Sequence, residues 1–161
     1  RNLNSPRISI GKRNTTKPRQ KNGAMKIFFD VNVILDFFLE RSPNQDQLNE
    51  LYQKLEEGRI QGFISISVLQ TCCYYLELAK GLEVTKQIAG VIARRFNFLD
   101  GSKYEVLSAI ESDFDDIEDA IHYFICSNSD MEGIVTNDQK FLKHSKPHLP
   151  ILTPIQLLER L

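Results

Sequence analysis

Four aspartates occupy positions from which a sheet of parallel strands could bring their carboxylates together. Asp30 directly ends the first apolar run of the chain, and Asp138 follows a later apolar run by two residues. Asp116 and Asp119 are three residues apart, so they share one face of the helix that is predicted to lead into that later run. Ligands of open parallel sheets bind beyond the carboxyl ends of the strands. We therefore expect these four side chains to converge on one site.

Convergence of this kind requires a positive charge. Two unit charges about 4 Å apart repel by roughly 4 kcal/mol at an effective dielectric constant near 20. Lys26 is the one basic residue within five positions of Asp30, and no Lys or Arg lies between Lys103 and Lys140. Oxygen ligands suit Mg²⁺ or Mn²⁺, whereas zinc prefers His or Cys. The acids therefore indicate a site for a divalent cation.

A purely structural interpretation of the same acids stays open at this point. Carboxylates in the first turn of a helix are favoured by capping and by the helix dipole, which would explain Asp116 without any ligand. Asp138 could likewise be an ordinary turn residue after a strand. Asp119 is less well explained by capping, since it lies beyond the predicted first turn.

Alternating strands and helices are predicted to position these acids. Asp115 and Glu118 have the spacing of a capping box, which predicts that the acidic helix begins near Asp115. Strands separated by helices form parallel sheets covered on both faces. We expect one three-layer α/β domain over residues 25–161, with helices flanking a parallel β-sheet. Its strands are predicted over 27–29, 60–66, 98–99, 133–136 and 150–152.

The composition fits a globular domain and limits how the chain can bind nucleic acid. The 161 residues are 42% hydrophobic and 25% charged, which excludes a disordered or fibrous chain. Seven of the 20 basic residues lie in the first 25 positions, so the remainder carries 13 basic and 21 acidic side chains, a net charge of -8. Because bulk attraction to nucleic acid depends on Lys and Arg, an RNA substrate would need local help.

The first 24 residues and the cysteines predict the cellular setting. Residues 1–24 are basic and poor in large apolar side chains, so we expect a disordered extension, or one foreign to the natural protein. Three cysteines make no even disulfide framework, and no run approaches the roughly 18 apolar residues of a membrane span. We expect a reduced, cytoplasmic protein with no membrane anchor. Tyr74, Tyr75, Cys72 and Cys73 are predicted to be core residues, and His122 a residue of the helix surface.

Four ordered motifs resemble those of one known family. They are FFDVNVILDFFLER at 28–41, DIEDAIHYF at 116–124, IVTNDQKF at 134–141 and ILTPIQLLERL at 151–161. Together they are similar to PIN-domain ribonucleases, which include the VapC-type toxins of toxin–antitoxin pairs. The resemblance covers residues 25–161 and implies Mg²⁺- or Mn²⁺-dependent hydrolysis of RNA phosphodiester bonds, an antitoxin partner and a homodimer.

The resemblance also implies roles for individual residues. Asp30, Asp119 and Asp138 would be the catalytic, metal-binding carboxylates, and Asp116 would assist as a metal ligand through water. The substrate would be met by Asn32, Thr71, Thr136, Asn137 and Lys140. Of these, Asn32 and Thr136 would hydrogen-bond Asp30 or the surrounding water. Lys140 belongs to a basic loop that could equally be a solvated surface.

One position departs from the family pattern. The family commonly has a Glu on the helix after the second strand, but this chain has Gln70 and Thr71 there. The loss of a full negative charge weakens the expected attraction for a metal ion. The alternative is therefore a catalytically depleted PIN-like module that binds RNA or a protein partner.

Overall fold

Five parallel strands form one sheet in the computed structural model, which describes residues 23–161. All but two residues of the predicted extension at 1–24 lie outside this range. In chain order the elements are β1 (Met25–Phe29), α1 (Val31–Phe38), α2 (Gln45–Glu56), β2 (Ile60–Ser65), α3 (Ile66–Lys80), α4 (Leu82–Arg95), β3 (Asn97–Leu99), α5 (Lys103–Glu111), α6 (Ile117–Asn128), β4 (Gly133–Val135), α7 (Gln139–Leu142), β5 (Ile151–Leu152) and α8 (Pro154–Leu158).

The order of the strands places a crevice beside the first strand. The sheet runs β3-β2-β1-β4-β5, so the chain builds one half outward from β1 and then returns to add β4 on its other side. The register pairs Phe28 with Phe63 of β2 and Phe29 with Val135 of β4. A reversal of strand order leaves a crevice at the carboxyl ends of the two strands involved. Here those strands are β1 and β4.

The apolar character of β1 follows from its central place. Ile27, Phe28 and Phe29 are fully buried, as expected for a strand covered by helices on both faces of a parallel sheet. Leu51 of α2 and Leu76 of α3 are also fully buried and belong to the same core. The predicted α/β architecture, a parallel sheet flanked by helices, is confirmed. No helix within residues 23–161 combines the length and the apolar character that crossing a bilayer requires.

Several predicted details were wrong at the ends of elements and on the surface. Strand β1 begins at Met25 rather than at residue 27, and helix α2 begins at Gln45, after a turn in which the Ser42 hydroxyl accepts the Asn44 N–H. Helix α7 was not predicted, since four residues are too few to show a helical period. Tyr74 and Tyr75 are exposed rather than buried, whereas Cys72 between the helix and the sheet is in the core.

A test of the packing around β2 is the substitution Gly62→Ala. A Cβ at this position would lie 2.8 Å from Leu55 Cδ1 and 2.8 Å from two ring carbons of Phe96. Strand β2 is held between β1 and β3, so the backbone has little freedom to move away. We expect the free energy of unfolding, measured with urea, to fall by about 1–3 kcal/mol.

Gly90→Ala in helix α4 is the matched control. A Cβ there meets only the flexible Arg94 side chain, at 3.3 Å, so the gain in helix propensity should raise stability by about 0.5–1 kcal/mol. Equal effects of the two substitutions would contradict the packing described for β2.

Candidate active site

Asp30 is held rigidly at the carboxyl end of β1. It is the N-cap of α1, and its Oδ1 accepts the Val31 N–H at 2.8 Å. Its Oδ2 accepts the Thr136 hydroxyl at 2.7 Å and the Asn32 side-chain amide at 3.1 Å. Burial raises the pKa of Asp30, the hydrogen bonds oppose this shift, and the negative charge of Asp138 adds to it. The carboxylate is therefore fixed in place but costly to ionise.

The Thr136 hydroxyl joins the two strands of the crevice. Besides donating to Asp30, its Oγ1 accepts the Asp138 N–H at 3.0 Å and the Asn32 amide at 3.3 Å. Asn32 Oδ1 in turn accepts the Asn137 N–H at 2.9 Å. These hydrogen bonds fix the start of α1 against the loop that leaves β4.

Asp138 lies at the other side of the same crevice. It is the N-cap of α7, and its Oδ1 accepts the Lys140 N–H at 2.8 Å. The second carboxylate oxygen of Asp138 has no hydrogen bond within residues 23–161. Lys140 contributes its backbone N–H to this cap, and its side chain is exposed.

Helix α6 brings two further acids to the site. Asp116, rather than Asp115, is its N-cap, and Asp116 Oδ1 accepts the N–H groups of Glu118 and Asp119 at 2.9 and 3.1 Å. Asp119 therefore lies inside the first turn, not beyond it as the sequence suggested. Its side chain is half-buried.

The electrostatics of Asp119 indicate that the acids are neighbours. Its pKa is raised to about 7, first by burial and then by four nearby negative charges, which are those of Asp30, Asp116, Asp138 and Glu118. Burial, with Asp30 and Asp116, also raises the pKa of Glu118. Glu118 was expected only as a capping residue. The sequence carries no signal that separates a capping acid from a member of the acid cluster.

The donor set fits a hard divalent cation in its chemistry. Every member is a carboxylate, and within residues 23–161 no Lys or Arg forms an ion pair with Asp30, Asp119 or Asp138. In that same range, no three His, Cys, Asp or Glu side chains already surround a common point at ligand distance. The carboxylates are thus close enough to perturb one another's pKa, and a shared ion would have to draw them closer.

Comparison with known proteins shows to which family this fold belongs. A family model described as PIN domain matches residues 26–140. The chain belongs to the PIN domain family.

Individual relatives extend the likeness over nearly the whole domain. The chain is 27% identical to Ribonuclease VapC1 of Aquifex aeolicus over 143 residues, which is 84% of this chain and 94% of that protein. It is similar in structure to Mycobacterium tuberculosis VapC20, described as a sarcin-ricin loop cleaving toxin, with a TM-score of 0.61 and 12% identity over 76% of this chain and 97% of that one. A toxin–antitoxin complex from Klebsiella pneumoniae gives a TM-score of 0.58 and 19% identity, covering 80% and 97% of the two chains.

His122 lies behind the acids of this PIN domain and was wrongly predicted to be a surface residue. It is 1% exposed, its ring packs 5.2 Å from that of Phe28, and its Nε2 lies 3.1 Å from Ser65 Oγ and 3.0 Å from Ser67 Oγ. Burial lowers its pKa to about 4, against the opposing effect of Asp116. A neutral imidazole therefore joins α6 to the start of α3. The burial of His122 depends on which face of α6 packs against the sheet. The sequence does not show which face this is, because polar residues stand near His122 in the chain.

Helix α3 carries Gln70 and Thr71 at the position where the resemblance implies a Glu. Thr71 is half-buried and Gln70 is exposed. Their neighbour Cys72 is fully buried, and its pKa is raised to about 12 by burial, then by Cys73 and Asp30. Because Asp30 acts on Cys72, this part of α3 passes beside the acid cluster. We therefore choose Thr71 as the position at which to test the effect of a carboxylate on α3.

The crowding of the acids predicts an unusual pH dependence of stability for Asp119→Asn. The folded-state pKa of Asp119, about 7, exceeds its ordinary value of 3.8, so the folded protein binds the extra proton between these pH values. Wild-type stability is therefore lost as pH rises through this window. We expect Asn to stabilise the protein at pH 8, relative to pH 4, by about 1–2 kcal/mol, a range discounted because the side chain is half-exposed.

Metal-free urea unfolding between pH 4 and pH 8 measures this difference. Asp113→Asn, which changes an exposed acid just before α6, is the matched control and should leave the profile unchanged. Parallel profiles of wild type and Asp119→Asn would contradict the crowding of charges around Asp119.

Proposed function

We propose that this PIN domain is a Mg²⁺- or Mn²⁺-dependent ribonuclease that hydrolyses RNA phosphodiester bonds as the toxin of a toxin–antitoxin pair. The observation that carries the proposal is the arrangement of acids at the crevice between β1 and β4. There the Thr136 hydroxyl links Asp30 to the Asp138 backbone, and burial with four neighbouring negative charges raises the pKa of Asp119. A cluster of carboxylates without a cation is costly to keep ionised. A divalent ion relieves that cost and supplies the Lewis acid that metal-assisted hydrolysis of a phosphodiester uses.

The proposed metal ligands are Asp30, Asp119 and Asp138, with Asp116 acting through water. A bound divalent ion would neutralise the phosphate, acidify an attacking water and stabilise the charge on the leaving oxygen. The chain's own contribution is to orient the acids. Thr136 and Asn32 donate hydrogen bonds of 2.7 and 3.1 Å to Asp30 Oδ2, which fixes the orientation of this carboxylate.

A bound divalent ion would also allow this acidic protein to bind RNA, a polyanion, because the ion reverses the local sign of charge. We propose that Asn32, Thr71, Thr136, Asn137 and Lys140 line the path of the substrate. Lys140, exposed at the start of α7, is the one positive side chain of this set and would contact the RNA backbone.

We further propose a cytoplasmic setting, an antitoxin partner and a homodimer. The relatives that carry toxin names support the partner. The large apolar side chains that stay exposed lie mainly on α3, α4 and α5, which makes these helices the proposed dimer surface. Candidates on α3, α4 and α5 are Tyr74, Leu78, Leu82, Tyr104, Leu107 and Ile110.

Cleavage of RNA with Mn²⁺ tests the proposed activity. Asp30→Asn and Asp119→Asn each remove a charge from the cluster, so the rate of cleavage should fall by about 100-fold or more. Asp113→Asn should retain the wild-type rate. Equal rates for wild type and both site variants would reject the enzyme and leave the binding module as the explanation.

The substitution Thr71→Glu tests whether the departure on α3 limits metal affinity. If Thr71 faces the cluster, a new carboxylate should tighten Mn²⁺ binding, followed by electron paramagnetic resonance, by roughly 10-fold. Thr71→Gln has the same shape without the charge and should not tighten it. Unchanged affinity in Thr71→Glu would place the position outside the metal site.

A further inference from the structure

A second concavity opens beside the acid cluster. It has a volume of about 330 Å³ and lies between the turn after α1, the start of α7 and the start of α8. Its walls include Asn44, Gln47, Gln139 and Pro154. The size falls within the range of small-molecule sites, roughly 300–1,000 Å³. We call this concavity the amide cleft.

Asn137 forms a wall shared by the amide cleft and the acid cluster. Its backbone N–H donates to Asn32 Oδ1 at 2.9 Å, on the side of Asp30. Its side-chain Nδ2 donates to Asp36 Oδ2 at 3.0 Å, and Asp36 lines the cleft. Asp36 follows Asn32 by one helical turn of α1. The two concavities are therefore immediate neighbours along one edge of the sheet.

The amide cleft carries little charge of its own. Among the described residues that line it, Asp36 is the one charged side chain. Both of its oxygens are engaged, Oδ1 by Arg41 Nε at 2.6 Å and Oδ2 by Asn137. The other described side chains that line the cleft are uncharged. They present amides and hydroxyls beside the apolar atoms of Leu48, Pro154 and Ile155.

The amides in the cleft are available to a ligand. Within residues 23–161, the side chains of Gln47 and Gln139 form no hydrogen bond with protein, and Asn44 makes no capping bond although it is the N-cap of α2. An amide offers a donor and an acceptor side by side, which is the pattern that Asn and Gln use to bond the edge of a base. Apolar side chains can also pack against the flat faces of an unstacked base.

We propose that the amide cleft is a nucleobase subsite that binds one base of the RNA next to the bond being cleaved. The proposal rests on the ribonuclease activity proposed above. It explains how the enzyme would prefer one base beside the cleaved bond. A chain whose phosphate lies at the acid cluster would pass Asn137 and place an adjacent base in the cleft. Gln47 and Gln139 are then the residues that determine specificity.

Nucleosides test the cleft without relying on catalysis. We would titrate the full chain, without metal, with adenosine, guanosine, cytidine and uridine, and follow side-chain amide signals by nuclear magnetic resonance. We expect the signals of Gln47 and Gln139 to shift, and one nucleoside to bind more tightly than the others. Gln87, exposed on α4 outside the cleft, is the internal control and should not shift.

A cleavage experiment then links the cleft to sequence preference. With Mn²⁺ and a pool of short RNAs, wild type should prefer one base at a fixed position beside the cleaved bond. Gln47→Leu should reduce that preference by roughly 10-fold, and Gln87→Leu should not.

The outcomes separate this inference from the proposed function. Cleavage by wild type with an unchanged preference in Gln47→Leu, and no nucleoside-induced shifts, would overturn the subsite and leave the nuclease intact. Absence of cleavage together with shifts at Gln47 and Gln139 would overturn the nuclease and retain a nucleobase site. Shifts confined to residues outside the cleft would overturn the subsite whatever the activity.

Discussion

Repulsion among carboxylates at the crevice between β1 and β4 is the constraint on which the rest of this structure depends. Burial and four neighbouring negative charges raise the pKa of Asp119 to about 7, and no described Lys or Arg pairs with it. The fold tolerates this arrangement because each of three acids also caps a helix, namely Asp30 for α1, Asp116 for α6 and Asp138 for α7. Capping bonds stabilise carboxylates that would otherwise be driven apart.

Hydrogen bonds from uncharged side chains around the acids help to hold the carboxylates in place against their mutual repulsion. The Thr136 hydroxyl bonds Asp30 and the Asp138 backbone at once, which fixes the relative positions of the two strand ends. The hydrogen bonds of His122 with Ser65 and Ser67 fix α6 to the start of α3 in the same way. Because the low pKa of His122 keeps it uncharged, it adds no cation that could substitute for a metal ion. His122 therefore leaves the negative charge of the acid cluster uncompensated.

Much of this could be predicted from the sequence, and what could not has physical reasons. The apolar run of β1, its terminal Asp30 and the helical spacing of Asp116 and Asp119 carry local signals that survive into the fold. The cap of α6 could not be assigned, since Asp115 with Glu118 and Asp116 with Asp119 have the same spacing. The burial of His122 and the part played by Glu118 depend on which elements pack against α6. The amide cleft depends on three loops that are distant in sequence, so no local pattern marks it.

The carboxyl of Asp119 itself provides the most direct test of the central claim. Its pKa can be followed by carbon-13 nuclear magnetic resonance across a pH titration, first without metal and then with saturating Mg²⁺. We expect a pKa of about 7 in the metal-free protein and a fall to well below the ordinary value of 3.8 when the ion is present. A carboxyl that titrates near its ordinary value in both conditions would contradict the crowding of charges and the metal site together.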